Sequence, residues 1–353
     1  MNFPTAPEAI RPAWLAEKLG QAPDALRGFA VGKVGTGQMC DSYRLTLDWA
    51  EGTDAPASVI AKCPSHDAAS RSIASLTGTY VKEVSWYRHL AAASGVPAPA
   101  CYFEAIADDD VEFLLILSDL APAAQGDQLA GRGLAGLVPC IEAAAKLHAF
   151  MWNDARLADM PYIARDNGDL IRAMFPQLYR GFRDRYAGRL SPEILDIGAG
   201  IVDRLDAYLA REPAARTLVH GDLRIDNILF SPDGDRCWLV DWQTLGRGSG
   251  ATDLAYLVGT SIADPFERAA ADRPAFEQWI AALRAAGVGP DADALWTDYR
   301  IGALSGYFMA VFASMTVERT ARGDEMFAVM AERPARQALA LGSLDLLRGA
   351  TAH

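Results

Sequence analysis

No stretch of this 353-residue chain is apolar for long enough to cross a membrane as a helix. The most apolar run, "IGALSGYFMAVFASM" (301–315), is shorter than the ~20 residues a span requires and reads as a buried helix. The N-terminal "MNFPTAPEAIRPAWLAEKLG" lacks the basic start and apolar core of a signal peptide, so none is expected. The five cysteines (Cys40, Cys63, Cys101, Cys140, Cys237) are odd in number, scattered, and form no Cys-x-x-Cys pair. That suits a reducing, cytoplasmic setting better than a disulfide scaffold or a zinc site. Basic residues are in short supply: 33 Lys and Arg against 45 Asp and Glu leave a formal charge of −12. Without a Lys/Arg stripe, this balance argues against nucleic acid or an anionic membrane surface as partner. Solubility through self-repulsion accounts for most of the excess.

What is present has a clear order. The length exceeds one compact core and suits two lobes. "PAWLAEKLG" (12–20) predicts a short leading helix closed by glycine. Strand-like runs follow at "FAVGKVG" (29–35), Ser42–Trp49 and Ala57–Pro64. From Arg71 to Ala93, Ile73, Leu76, Tyr80, Val84, Tyr87 and Leu90 or Ala91 share one helical stripe. Two more strands are predicted at "CYFEAIA" (101–107) and Glu112–Leu117. Beyond "SDLAPAAQGDQ" (118–128), helical patterns dominate, and "NILF" and "CWLV" are the only strong strand signals left. The expected fold class is α+β: a five-stranded N-terminal lobe with one main helix (1–117), a hinge (118–121) and a larger, mostly helical C-terminal lobe (122–353). Two unlike lobes imply a cleft for a ligand.

The densest chemistry lies in "LVHGDLRIDNILFSPDGDRCWLVDW" (218–242). "NILF" and "CWLV" are separated by the turn-forming "SPDGDR", which predicts an antiparallel hairpin. In such a hairpin Asn227 enters one strand and Asp241 leaves the other at the same end. Both carry hard oxygen ligands suited to Mg2+, which completes its shell with phosphate and water. Asp222, just upstream, stands where a base would orient a substrate hydroxyl and accept its proton.

"HGDLRIDN" followed by "VDW" resembles the catalytic and metal-binding loops of the aminoglycoside phosphotransferase-like kinases. The nearer likeness is to their ecdysteroid kinase-like branch, within the broader protein kinase-like fold. His-Gly-Asp-x4-Asn alone would arise by chance in on the order of one chain in a few hundred. The remaining parts follow in order. "VIAK" ends at Lys62 and resembles the strand lysine that holds the α/β-phosphates. Glu83, beside its helix's apolar stripe, needs a cation, and Lys62 is the natural partner. "LLILSDLA" (114–121) resembles the linker whose backbone meets the adenine, which implies contacts at Ser118 and Leu120. Ser118 replaces the acidic residue expected before Asp119, a change that a backbone contact survives.

Gly35 and Gly37, in "VGKVGTGQMCDSY", sit where the phosphate-covering loop belongs. Cys40 stands where a third glycine would complete the protein-kinase pattern, and Gly-Thr-Gly between strands is more often a plain turn. Arg224 occupies the place of a cation near the transferring phosphate; an ion pair with Asp226 or another acid is an equal alternative. Asp253, in "TDLAYLV", resembles the residue that supports the catalytic loop from below, and is also compatible with a helix N-cap. His220 is read as holding the loop in shape rather than as a base or ligand. His148, in "AKLHAFMW", is read as a satisfied core residue, and Trp152, Trp242, Tyr256, Tyr299, Phe308 and Phe312 as mostly core.

The resemblance therefore implies a phosphotransferase using ATP (or GTP) and Mg2+, with Asp222 and Arg224 at the chemistry. Only eleven residues, 242–252, separate Asp241 from Asp253, and the triplet Asp241-Trp242-Gln243 carries no glycine. That leaves little room for a peptide-docking segment, so the expected acceptor is a small hydroxylated molecule. The family includes kinases of aminoglycosides, choline, steroid-like alcohols and hydroxyacyl thioesters. The apolar, aromatic late helices favour a largely apolar acceptor over an aminoglycoside or choline. Two rivals stand beside this reading: a nucleotide-binding pseudokinase scaffold, and a metal-dependent hydrolase built on His220, Asp222 and Asp241.

Overall fold

The structure, a computed structural model, describes residues 3–35, 39–163 and 168–350. The chain forms two compact units that interleave in sequence. The first comprises residues 1–93, 98–122 and 240–244; the second comprises 94–97, 123–239 and 245–353.

The first unit is built on a five-stranded antiparallel sheet of order β1-β2-β3-β5-β4. Its strands are β1 (Leu26–Val34), β2 (Cys40–Trp49), β3 (Ser58–Pro64), β4 (Cys101–Ile106) and β5 (Phe113–Ser118). Helix α1 (Pro12–Lys18) starts on a proline, which is pre-set for the first helical turn. Alternate residues of the strands face opposite sides of the sheet. Tyr43, Leu45, Leu47, Val59, Ala61, Cys63, Leu114 and Ile116 share a core with Leu15, Ala16 and Leu19 of α1 and its end. By the same alternation Lys62 faces the other side of β3.

That other side is served by α2 (Ala68–Thr77), α3 (Thr79–Ser85), a π-helical turn (Trp86–Leu90) and α4 (Ala91–Ser94). The single helix expected over 71–93 is thus interrupted. Gly78 adopts the left-handed conformation (φ 68°) and caps α2, with its N–H donating to the Ala74 and Ser75 carbonyls. A helical stripe shows which residues face inward, but a mid-pattern glycine of this kind ends one helix and redirects the next. Gly78→Ala should lower stability by about 1 kcal/mol, read by urea denaturation, because alanine resists this backbone region.

The second unit begins with β6 (Ala124–Gln125), α5 (Leu134–Phe150), α6 (Gly168–Tyr186), α7 (Pro192–Asp203) and α8 (Leu205–Ala210). Four short strands follow: β7 (Thr217–Val219), β8 (Ile228–Phe230), β9 (Cys237–Leu239) and β10 (Gly246–Gly248). Helices α9 (Gly250–Ser261), α10 (Pro265–Ala285), α11 (Ala292–Gly302), α12 (Leu304–Thr316) and α13 (Ala321–Leu341) complete it. The predicted hairpin is present as β8 and β9, with Ile228 opposite Leu239. β6 pairs with β8, and β7 with β10. β6, β7 and β10 escaped sequence reading because two or three residues hold no period. The apolar run 301–315 divides at Ala303 between α11 and α12. A core of Phe175, Phe182, Ile201, Tyr256, Leu304 and Tyr307 joins α6, α7, α9 and α12. Among the described residues no helix is long and apolar enough to cross a membrane.

Candidate active site

Lys62, Glu83 and Asp241 meet in the first unit. Lys62 Nζ lies 2.6 Å from Glu83 Oε1 and 2.9 Å from Asp241 Oδ1. Lys62 and Glu83 are buried, whereas the Asp241 side chain is 35% exposed. Burial opposes the lysine's charge, but the carboxylates of Asp241 and Glu83 outweigh it and hold the Lys62 pKa well above 10.5. Burial has the upper hand at Glu83, whose pKa is raised despite Lys62. The neighbouring Cys40 thiol is pushed up to about 12, chiefly by burial.

Asp241 itself has a left-handed backbone (φ 68°), a region that non-glycine residues occupy sparingly and that gathers at functional sites. Its neighbour Trp242 explains how the residue is held. Trp242 stacks on Trp86 at 3.6 Å between ring centroids and 14° between planes, and both rings are fully buried. Trp86 lies three residues beyond Glu83, so the stack locks the helix carrying Glu83 to the segment carrying Asp241.

The linker is tied to the same unit. Ser118 donates its N–H to the Ala100 carbonyl (2.8 Å), and its hydroxyl oxygen accepts the Ala100 N–H (2.9 Å). Asp119 accepts from Arg44 Nε (2.5 Å) and Nη2 (3.0 Å) and from Ser58 Oγ (2.7 Å), which pins the linker to β2 and β3. Burial opposes the charge of Asp119, but these donors hold its pKa below the usual value. Leu120 is half-buried and makes no hydrogen bond among the described residues. Gly35 has φ 74° with open space where a side chain would stand; Gly37 lies outside the described residues.

Asp222, Arg224 and Asn227 come together in the second unit, on the loop from β7 to β8. Asn227 Nδ2 donates to the Asp222 carbonyl (2.9 Å) and to Asp222 Oδ2 (2.7 Å). Arg224 Nε is 3.3 Å from Asp222, and its Nη1 is 2.7 Å from Asp226 Oδ2. Arg224 is therefore an ion-pair partner of both acids. Burial would raise the Asp222 pKa, but the Arg224 guanidinium, with the Tyr256 hydroxyl and the Asn227 amide, holds it below the usual carboxylate value.

Asp253, on α9, anchors the loop's backbone. It accepts the N–H of His220 (2.6 Å) and of Gly221 (3.0 Å), whose φ of 81° turns the chain toward Asp222. His220 is fully buried. His148 is also fully buried, but it is more than packing. Trp279 Nε1 donates to His148 Nδ1 (3.0 Å), so this nitrogen is the acceptor and the proton sits on Nε2, 3.3 Å from Asp253 Oδ2. Sequence reading gave His148 as a satisfied core residue, which its burial matches, yet nothing local linked residues 148, 253 and 279.

Tyr256 is the other residue that reading by default composition missed: its hydroxyl donates to Asp222 Oδ1 at 2.6 Å. The one available signal was its spacing, three residues beyond Asp253 and hence on the same face of α9.

The sequence profile of the phosphotransferase enzyme family (APH) matches residues 49–296. No curated protein matches the chain in sequence. Among solved structures, the chain is similar to choline kinase from Cryptosporidium parvum Iowa II, at 10% identity over 90% of this chain and 91% of that one, TM-score 0.55. It is also similar to amicoumacin kinase hAmiN in complex with AMP-PNP, Ca2+ and Ami (14%, 88% and 90%, TM-score 0.52). A third is the ADP-bound aminoglycoside phosphotransferase APH(2'')-Ib (13%, 92% and 97%, TM-score 0.51). At these identities the likeness is one of fold: the protein kinase-like fold, with a five-stranded antiparallel sheet and a larger helical part. With its profile covering well over half of the 353 residues, the chain belongs to the phosphotransferase enzyme family.

Proposed function

We propose that this protein is a kinase that moves the γ-phosphoryl group of ATP, or GTP, to a hydroxyl of a small, largely apolar molecule. The observation that carries the reading is Lys62, a buried ammonium held between two carboxylates, one sealed and one partly open. Glu83 keeps the charge in place, and the open side presents it to an anionic ligand such as the α/β-phosphates. The aminoglycoside phosphotransferase APH(2'')-Ib is ADP-bound and amicoumacin kinase hAmiN is in complex with AMP-PNP, which supports a nucleotide here. In this proposal residues 1–117 cover the nucleotide, Gly35 and Gly37 belong to the loop over its phosphates, and 118–121 form the hinge. Because the Ser118 N–H is committed to Ala100, Leu120 is the better backbone partner for the base.

Asn227, of the second unit, and Asp241, of the first, are each chemically suited to a divalent ion. Asn227 turns its amide nitrogen onto Asp222, and Asp241 turns one oxygen onto Lys62. Each retains an oxygen with no donor among the described residues, and such hard oxygens are what Mg2+ takes. Mg2+ held by these two residues would neutralise charge on the transferred group. Asp222 orients the acceptor hydroxyl and takes its proton as the acceptor oxygen bonds to phosphorus and the bond to the departing ADP breaks. Arg224 steadies Asp222 and adds positive charge beside it, while Asp253 and His220 hold the loop.

The acceptor is read from α12, which carries no carboxylate and leaves Phe308, Met309, Phe312 and Met315 half-buried. Polarizable methionines and aromatic rings suit an apolar ligand, in line with the ecdysteroid kinase-like branch rather than a polycationic drug or choline. The hydrolase reading is disfavoured because His220 is sealed from solvent. ADP release, slow with water as the acceptor, should rise on addition of hydroxylated lipids, steroids or hydroxyacyl thioesters in a coupled assay. Phosphorylation of aminoglycosides or choline alone would refute the apolar acceptor. Tight nucleotide binding without acceptor-dependent ADP release from any compound would favour the pseudokinase.

A further inference from the structure

We propose that Tyr256 is a positioning residue for phosphoryl transfer: its hydroxyl sets the orientation of the Asp222 carboxylate, and so which oxygen meets the acceptor. The proposal rests on the reading of Asp222 as the base.

Asp222 Oδ2 accepts from Asn227, and Arg224 Nε stands 3.3 Å from both carboxylate oxygens; both partners are members of the same loop. Those contacts would turn with the loop. Oδ1 is engaged by Tyr256, which is rooted in α9 and ties the carboxylate to the helical body of the unit. Asp253, one turn earlier on α9, receives the loop's backbone N–H groups. A single helical turn thus fixes both the main chain and the reactive side chain of the loop.

The phenol cannot swing away. Tyr256 is 2% exposed, and its ring packs on Gly306 of α12. A Cβ at Gly306 would stand 2.5 Å from Pro334 Cγ and 3.0 Å from Tyr256 Cδ2, so a side chain there would collide with Pro334 and crowd the ring. A phenylalanine would keep the ring and lose the one donor to Oδ1, among the described residues, that lies outside the loop.

The test uses the full chain, with Mg·ATP as the probe and water as the acceptor. Turnover is read radiometrically and ADP affinity by calorimetry. Tyr256→Phe should lower kcat by roughly 10- to 100-fold, with the KM for ATP and ADP affinity within about two-fold of the parent. Gly306→Ala, which displaces the ring, should give the same split by an independent route. In an Asp222→Ala background, adding Tyr256→Phe should change nothing further. Unchanged kcat in Tyr256→Phe overturns the proposal. So does a parallel loss of kcat and ADP affinity, since that marks a structural role. If either occurs while Asp222→Ala is inactive, the kinase reading stands and only the role of Tyr256 falls. Normal turnover in Asp222→Ala removes both.

Discussion

Replacing Asp222 with alanine will lower kcat by about 10²- to 10⁴-fold, the range a positioned general base supplies. ADP affinity will stay within about two-fold of the parent. The split follows from where the side chain sits. Asp222 belongs to the second unit, on the loop held by Asp253, whereas Lys62 and Glu83 belong to the sheet unit. Removing the carboxylate frees the Tyr256 hydroxyl and the Asn227 amide but touches neither Lys62 nor its partners. Asp222→Asn is the sharper variant, because the amide keeps the volume and part of the hydrogen bonding while losing the basic oxygen. Stopped-turnover kinetics with calorimetry of ADP measures both quantities. A kcat within two- or three-fold of the parent, on the order of the scatter between preparations, would show that Asp222 is not the base.

Lys62→Met should produce the largest change in stability, about 3–5 kcal/mol, because it strands a carboxylate that is 1% exposed. Glu83 already has a raised pKa with the ammonium beside it, and without that ammonium burial acts unopposed. Its folded state then holds a proton that the unfolded chain releases. The variant should therefore gain stability as pH falls through the raised folded-state pKa toward the ordinary 4.5. In the parent, Lys62 contributes in the opposite range. Its pKa is raised above 10.5, so its stabilisation is complete below that value and is lost as pH rises through the folded pKa. Urea denaturation from about pH 5 to above the lysine's ordinary 10.5 tests both, and Lys62→Met/Glu83→Gln should recover much of the loss. A Lys62→Met protein that weakens steadily on acidification would contradict the assignment of Glu83 as the stranded group.

The residues proposed to carry the chemistry could be picked out because their types and spacing are dictated locally. A strand ending in Lys62, a helix bearing Glu83 and a Pro-Asp-Gly turn between two short apolar runs all lie within windows of a few residues. The five-stranded sheet was legible for the same reason: its strands are continuous runs of six or more residues. What escaped was set by distance along the chain. Tyr256 meets Asp222 across 34 residues, Asp119 meets Arg44 across 75, and His148 meets Asp253 across 105. No periodicity reports such pairs, and a tyrosine on an apolar helix looks like packing until its hydroxyl is placed. The same holds for Trp242, whose partner Trp86 is chosen by the fold. Gly78 was visible in the sequence; the regular stripe on either side of it masked the break.

The short passage from Asp241 to Asp253 has a consequence for control. It is filled by a 3-10 turn (Trp242–Thr244), the strand β10 paired to β7, and the first turn of α9. Every residue there except Leu245 and Ser249 is committed to a regular element, and both of those are buried. A covalent mark on this segment would find no slack chain to reorganise.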